Sequence, residues 1–249
     1  MIQTILLFIT LTIFPLTTVS TQEHKSEVII LSTIHVAHKS NPNYSYASLF
    51  TFIEEYEPDV IGVEIRSEDI DSSYRYLQRN YPFEMYECLS KYTSKKVSGV
   101  DWLATDLEGK AIPENYWSEM SAIKQLQRKL QRDSAMIAKL SILDVIVEEK
   151  NRRILNASLY KLNDGSYDAI NYIYYEQLRV LFHDTEYAAL SDFYQQRDDR
   201  IAQNIIEIIK KNPGKRMLFL VGADHRDTSL KKVTEELEND IEYHRLTKE

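Results

Sequence analysis

Apolar positions fall into two patterns along this chain. Short unbroken runs at Val28–Ile34, Val60–Val63 and Met217–Val221 have the length of strands buried on both faces of a parallel sheet. Lys96–Val100 is a weaker run of the same kind, and Ile241–Leu246 reads as a last strand. Ser45–Glu57 instead repeats with a helical period: Leu49, Phe50 and Ile53 share one face, and Pro58-Asp59 ends it. Strand, helix and strand in succession imply a parallel pair joined by a right-handed crossover. Arg66–Lys95 is helical in pattern and rich in tyrosine. Pro113-Glu114 opens a long helical region, because proline suits the first helical position and an acid suits the helix N-terminus. It runs to about Lys211 with a break at Asn163-Asp164-Gly165, and Asn212-Pro213-Gly214 stops it before the next strand. Thr228–Asn239 is a final amphipathic helix. The expected fold is α/β: a mainly parallel sheet flanked by helices, with a helical insertion at about 113–211 between its N- and C-terminal halves, all in one domain over 21–249.

Composition sharpens this picture. The 249 residues suffice for one large domain with a sizeable core. Seventeen tyrosines against 6 glycines favour a helix-rich protein over a Gly-rich all-β one. A net charge of -8 without a basic stripe excludes a nucleic-acid surface. The lone Cys88 can form neither an intrachain disulfide nor a thiolate metal site, and reads as a small buried hydrophobe. Met1–Ser20 has an apolar core, no charged side chain and small residues at Thr18-Val19-Ser20. It reads as a secretory signal peptide, which implies a secreted or periplasmic protein; a retained anchor is the rival reading. No other membrane segment is expected. Thr21–Glu27 follows as a polar linker. Asn43-Tyr44-Ser45 and Asn156-Ala157-Ser158 are acceptors only in a host that glycosylates secreted proteins.

The strand ends carry the candidate chemistry. Three expected strands end in His35, Glu64 and His225, and a fourth in Asp101. In open α/β sheets, ligands sit outside the carboxyl ends of the strands. Each residue has an ordinary reading by itself. His35 suits a structural histidine, Glu64 an ion pair with Arg66 or with an arginine of the helical block, and Asp224 a helix cap. Together, two imidazoles and a carboxylate at one sheet edge are a common ligand set for a catalytic divalent metal. His35, Glu64 and His225 would hold Zn, Mn or Co, which would acidify a bound water and polarise a carbonyl. A metal-free variant uses His35 or His225 as general base, oriented by Glu64. Arg197, Arg200 and Asn204 share a helical stripe beside apolar Ile201, Ile205 and Ile208, from which Arg197 could clamp a carboxylate or stabilise an oxyanion. His38 reads as a loop residue, with ligand and acid/base roles as alternatives.

Four blocks in order resemble the TraB / TIKI / GumN superfamily, which takes in erythromycin-esterase-like and ChaN-like proteins. They are Ser32-Thr33-Ile34-His35, with Ser for the Gly of a Gly-x-x-His motif, and Pro58-Asp59-Val60-Ile61-Gly62-Val63-Glu64. Arg197-Asp198-Asp199-Arg200-Ile201 follows, with Ile for Met, and then an intact Gly222-Ala223-Asp224-His225. The resemblance implies a TIKI-like α/β fold and a metal-dependent hydrolase of peptide or ester bonds. Its site would use His35, Glu64 and His225, with Arg197 in support and a peptide or small molecule as substrate. Two alternatives stand beside it: a ChaN-like protein that binds haem or another small molecule in the same cleft, and a catalytically inactive member acting as a structural partner.

Overall fold

The computed structural model describes residues 25–246, so the expected signal peptide lies outside the described residues. Strand β1 (Ser26–Thr33) leads through a 3-10 turn at His35–Lys39 into helix α1 (Tyr46–Tyr56), then β2 (Val60–Arg66). Helices α2 (Tyr74–Asn80) and α3 (Phe83–Lys91) precede β3 (Lys96–Asp101). The helical block holds α4 (Ala122–Leu130), α5 (Ser134–Leu140), α6 (Asp144–Asn156), α7 (Leu159–Leu162), α8 (Ser166–Phe182) and α9 (Ala188–Lys210). The chain returns through β4 (Arg216–Gly222), a 3-10 turn at Ala223–His225, α10 (Arg226–Leu237) and β5 (Ile241–Tyr243). Among the described residues no helix is long and apolar enough to cross a membrane.

The sheet has five parallel strands in the order β3-β2-β4-β1-β5. Strand β4, from the far end of the chain, lies between β1 and β2. Its register pairs Leu220 with Leu31 of β1 and with Val63 of β2. Side-chain alternation divides the core into two layers. Ile29, Leu31, Ile61, Val63, Leu218 and Leu220 face α1 and α3 with Leu49, Ile53, Met85 and Cys88. Val28, Ile30, Met217, Phe219 and Val221 face α9 and α10 with Ile201, Ile205, Val233 and Leu237. The expected α/β architecture with a helical insertion is therefore the observed one.

Two buried polar groups fasten the helical block to the sheet. Asn163 Oδ1 accepts from the Ser32 N–H at 2.8 Å. Arg226 Nε donates to Ile30 O at 2.9 Å, and its Nη1 pairs with Asp168 of α8.

Several local expectations need correction. Arg66–Lys95 is two helices divided at Pro82, because proline opens α3 and cannot continue α2. Pro113-Glu114 leads not into an α-helix but into one π-helical turn at Tyr116–Met120, and Ser121 then caps α4 by accepting from Lys124 N–H. β1 begins at Ser26, inside the expected linker, and β5 stops at Tyr243 rather than Leu246. Strand β2 continues two residues beyond Glu64, because Ile65 is fully buried and Arg66 is held by Asp69 and by the Leu107 and Lys110 carbonyls.

Candidate active site

Because β1, β4 and β2 are neighbours, His35, His225 and Glu64 meet at the carboxyl edge of the sheet, and β3 brings Asp101 beside them. Gly222 makes the meeting possible. A methyl group built on it would lie 2.7 Å from His35 Nε2 and 3.2 Å from Glu64 Oε2, and its N–H donates to Glu64 Oε2 at 2.5 Å. Its φ of -55° is open to any residue, so space and not backbone freedom requires glycine. Gly222→Ala is expected to cost about 1–3 kcal/mol of stability through overpacking and to displace His35. Urea midpoints and the NMR resonances of the His35 ring measured side by side would check this; unshifted His35 resonances would mean that the imidazole is not displaced.

Each imidazole is held at Nδ1 by a buried carboxylate. His35 Nδ1 donates to Glu84 Oε1 at 2.8 Å, and Glu84 is fully buried. His225 Nδ1 donates to Asp198 Oδ1 at 2.5 Å. His225 Nε2 lies 3.6 Å from Glu64 Oε1, and His35 Nε2 lies against Gly222. Burial alone would lower the pKa of His35, but the Glu84 hydrogen bond and the charges of Glu64 and Glu84 raise it above the ordinary value. His225 is likewise raised: Glu64 and Asp198 outweigh burial and the repulsion of Arg197.

His35 is held at φ 49°, a left-handed conformation that costs a side-chain-bearing residue on the order of 1–3 kcal/mol. The Glu84 bond and a bond from Tyr46 OH to His35 O at 3.0 Å maintain it.

Arg197, from α9, donates through Nη2 to Glu64 Oε1 at 2.7 Å and through Nε to Asp101 Oδ1 at 2.9 Å. Glu64 therefore pairs with an arginine of the helical block and not with Arg66. Glu64 is buried, which would raise its pKa, yet His225, Arg197, His35 and the Gly222 N–H together bring it down to about 2. At Asp101 burial wins over the pull of the shared guanidinium, and its pKa is raised. Of the other stripe residues, Asn204 donates to Val100 O at 2.9 Å and docks α9 on β3, while Arg200 lies over Trp102, outside the cluster.

In the expected His35–Glu64–His225 metal set, Glu64 already has other partners. Both Glu64 oxygens are engaged, one by a guanidinium that a dication would have to displace or oppose. Among the described residues no three His, Cys, Asp or Glu side chains are grouped to hold a metal ion. His38 is neither a loop residue nor a ligand. It is buried, its Nε2 accepts from Ile34 N–H at 3.1 Å, and its Nδ1 donates to Tyr44 O at 2.7 Å. Burial lowers its pKa, so it stays a neutral strut under His35. Asp224 is no helix cap; it accepts from Tyr167 OH at 2.6 Å and pairs with Lys150 at 3.1 Å.

Glu84 and Asp198 were not expected in the site. The signal for Glu84 was an acid on the same helical stripe as Tyr81 and Cys88, both buried. For Asp198 it was only adjacency to Arg197.

Two chambers flank the cluster. One, of about 580 Å³, lies under the helical block and includes His35, Gly222 and His225 in its wall. The other, of about 490 Å³, includes Glu64, Asp101 and Arg197. His35, Gln127 and Tyr194 belong to both and form the partition between them. Comparison with known proteins finds no matching protein-family model, no matching curated protein and no matching solved structure.

Proposed function

We propose that this protein is a hydrolase of ester or amide bonds, of the TraB/TIKI type suggested by its four motifs, and that His35 is its general base. The observation that carries this reading is the Glu84–His35 pair. A fully buried carboxylate fixes the Nδ1–H tautomer and presents a basic Nε2 to both chambers. A side chain 36% exposed can meet substrate, whereas the side chain of His225 is 9% exposed.

The chemistry balances without further reactants. His35 Nε2 takes a proton from water as the water oxygen bonds to the substrate carbonyl carbon, and the carbonyl π pair moves to oxygen. The developing oxyanion is met by His225, whose two carboxylate neighbours favour its imidazolium form, and by Arg197. Collapse of the intermediate breaks the bond to the leaving oxygen or nitrogen, which recovers the proton from His35. Glu64 orients Arg197, His225 and the Gly222 N–H and stays ionised throughout.

The test is hydrolysis of an ester and amide panel in the presence of chelator, followed across pH. Activity requires neutral His35, so kcat/KM is expected to rise with pH and to level off at a midpoint above the ordinary 6.5. Glu84→Gln removes the group that raises this pKa, so the midpoint moves to lower pH. A profile flat from pH 5 to 9 would remove His35 as base. A divalent metal at His35 and His225 is the second reading. It is favoured by four carboxylates (Glu64, Glu84, Asp101 and Asp198) facing a single guanidinium; loss of turnover with chelator and its return with Zn, Mn or Co would select it.

A further inference from the structure

The two chambers differ in chemistry, and the difference specifies a substrate. The chamber under the helical block is walled by aliphatic side chains, among them Leu140, Val147, Leu178 and Leu190, and by the rings of Tyr174 and Tyr194. Away from the His35–His225 edge, Lys150 is the one lysine or arginine among the described residues of its wall, and it is not free to bind a ligand anion. Lys150 Nζ donates to Asn171 Oδ1 at 2.5 Å, pairs with Asp224, and lies 4.4 Å from the centre of the Tyr174 ring. Because Lys150 and Asp224 offset each other, the part of this chamber away from the histidines is suited to an apolar group.

The second chamber combines aromatic walls, Trp117 and Phe193, with three cations: Arg79, Lys124 and Arg197. Arg79 is paired with Glu114 and Arg197 with Glu64 and Asp101. Lys124 has neither an ion pair nor a side-chain hydrogen bond among the described residues. Lys124 is exposed at the edge of the chamber, and partial desolvation there, together with the charges of Arg197 and Arg128, lowers its pKa. An anion delivered to this chamber would relieve that repulsion.

We infer that the substrate joins an apolar acyl group, seated in the chamber under the helical block, to a carboxylate-bearing leaving group read by Lys124, with the scissile carbonyl at His35 between them. N-acylated amino acids are the simplest molecules of this form. Water adds to the acyl carbon, the carbon–nitrogen bond breaks, and the products are a fatty or aromatic acid and an amino acid whose amine takes the proton. The inference rests on the hydrolytic reading only for where the bond is cut.

The test measures binding apart from turnover. Sulfonamides keep the shape of the acyl amide and are not cleaved, so decanesulfonyl-glycine, its glycinamide and methanesulfonyl-glycine are titrated calorimetrically into the full chain. The acid is expected to bind about tenfold more tightly than its amide, the scale of one charge-assisted contact. The decyl probe is expected to bind about a hundredfold more tightly than the methyl one, as burial of methylenes requires. Lys124→Met should abolish the acid-over-amide preference and leave the chain-length effect, and Val147→Trp should do the reverse. Equal affinity for acid and amide, no dependence on chain length, or an acid preference that survives Lys124→Met would each overturn the inference. If binding follows the expected pattern while N-decanoylglycine is not hydrolysed, the hydrolytic reading fails and the ligand assignment stands. If other esters are hydrolysed and these probes do not bind, the ligand assignment alone fails.

Discussion

His35→Ala is expected to lower kcat/KM by about 10²- to 10⁴-fold, the usual contribution of a positioned general base, with little change in stability. The side chain is 36% exposed, so its removal opens no sealed cavity. Alanine inherits the same φ of 49°, so backbone strain neither appears nor disappears. Added imidazole should restore part of the rate through the vacated space beside Glu84, since both chambers open onto it. His225→Ala is the paired experiment. It removes an electrophile and not the base, so imidazole should not rescue it, and the ascending pH limb should remain where His35 sets it. Rescue of His225→Ala with failure to rescue His35→Ala would exchange the two roles.

Arg197→Met should have the largest effect on stability. Glu64 and Asp101 have side chains only 4% and 2% exposed, and one guanidinium serves both. Removing one partner from a buried ion pair costs about 3–5 kcal/mol, because the remaining charge is left without compensation. The loss should depend on pH with a definite sign. In the parent protein Glu64 is held down to about 2 from 4.5, so its contribution is present above 4.5 and is lost only as pH falls through about 2. Without Arg197 burial dominates at both carboxylates, and their folded-state pKa values rise. A raised value favours the folded form at low pH and penalises it as pH climbs. The gap between parent and variant should therefore be wide at pH 7 and narrow toward pH 5. Denaturant midpoints at the two values would show it. A gap below about 1 kcal/mol, the size of an exposed pair, would mean that water reaches the cluster.

The cluster was legible in the sequence to the extent that strand ends announce themselves. His35, Asp101 and His225 each follow or close an apolar run, and a parallel sheet places all such ends on one edge. Arg197 was legible because a helical stripe beside Ile201 and Ile205 must lie next to the core. Glu84 and Asp198 were not, because an acid within a helix shows no partner until the tertiary contact exists. His38 was obscured by its distance of three residues from His35: a loop histidine and a buried strut read alike until Tyr44 folds over it. The region after Pro113 opens as a π-helical turn rather than an α-helix, and the hydrogen bonds of Tyr116 to Asp106 and of Trp117 to Asn80 that hold this turn are tertiary contacts no local pattern shows. The hydrogen bonds from Gly222 and Arg197 to the two Glu64 oxygens were likewise hidden, because no motif records a contact between β2, β4 and α9.

The placement of β4 between β1 and β2 also sets the order of assembly. No pairing joins β1 directly to β2, so until residues 216–222 dock, the β2–β3 ribbon has no strand pairing to β1 and meets it through the packing of α1. Contacts such as Thr33 with Val221 close loops of 188 residues, a topology that folds slowly and leaves hydrophobic strand edges bare in the meantime. A chain emerging from a ribosome would carry His35, Glu64 and Asp101 long before Arg197, and then β4, arrive to join them. The cluster would assemble in one step, when β4 slides into the gap between β1 and β2.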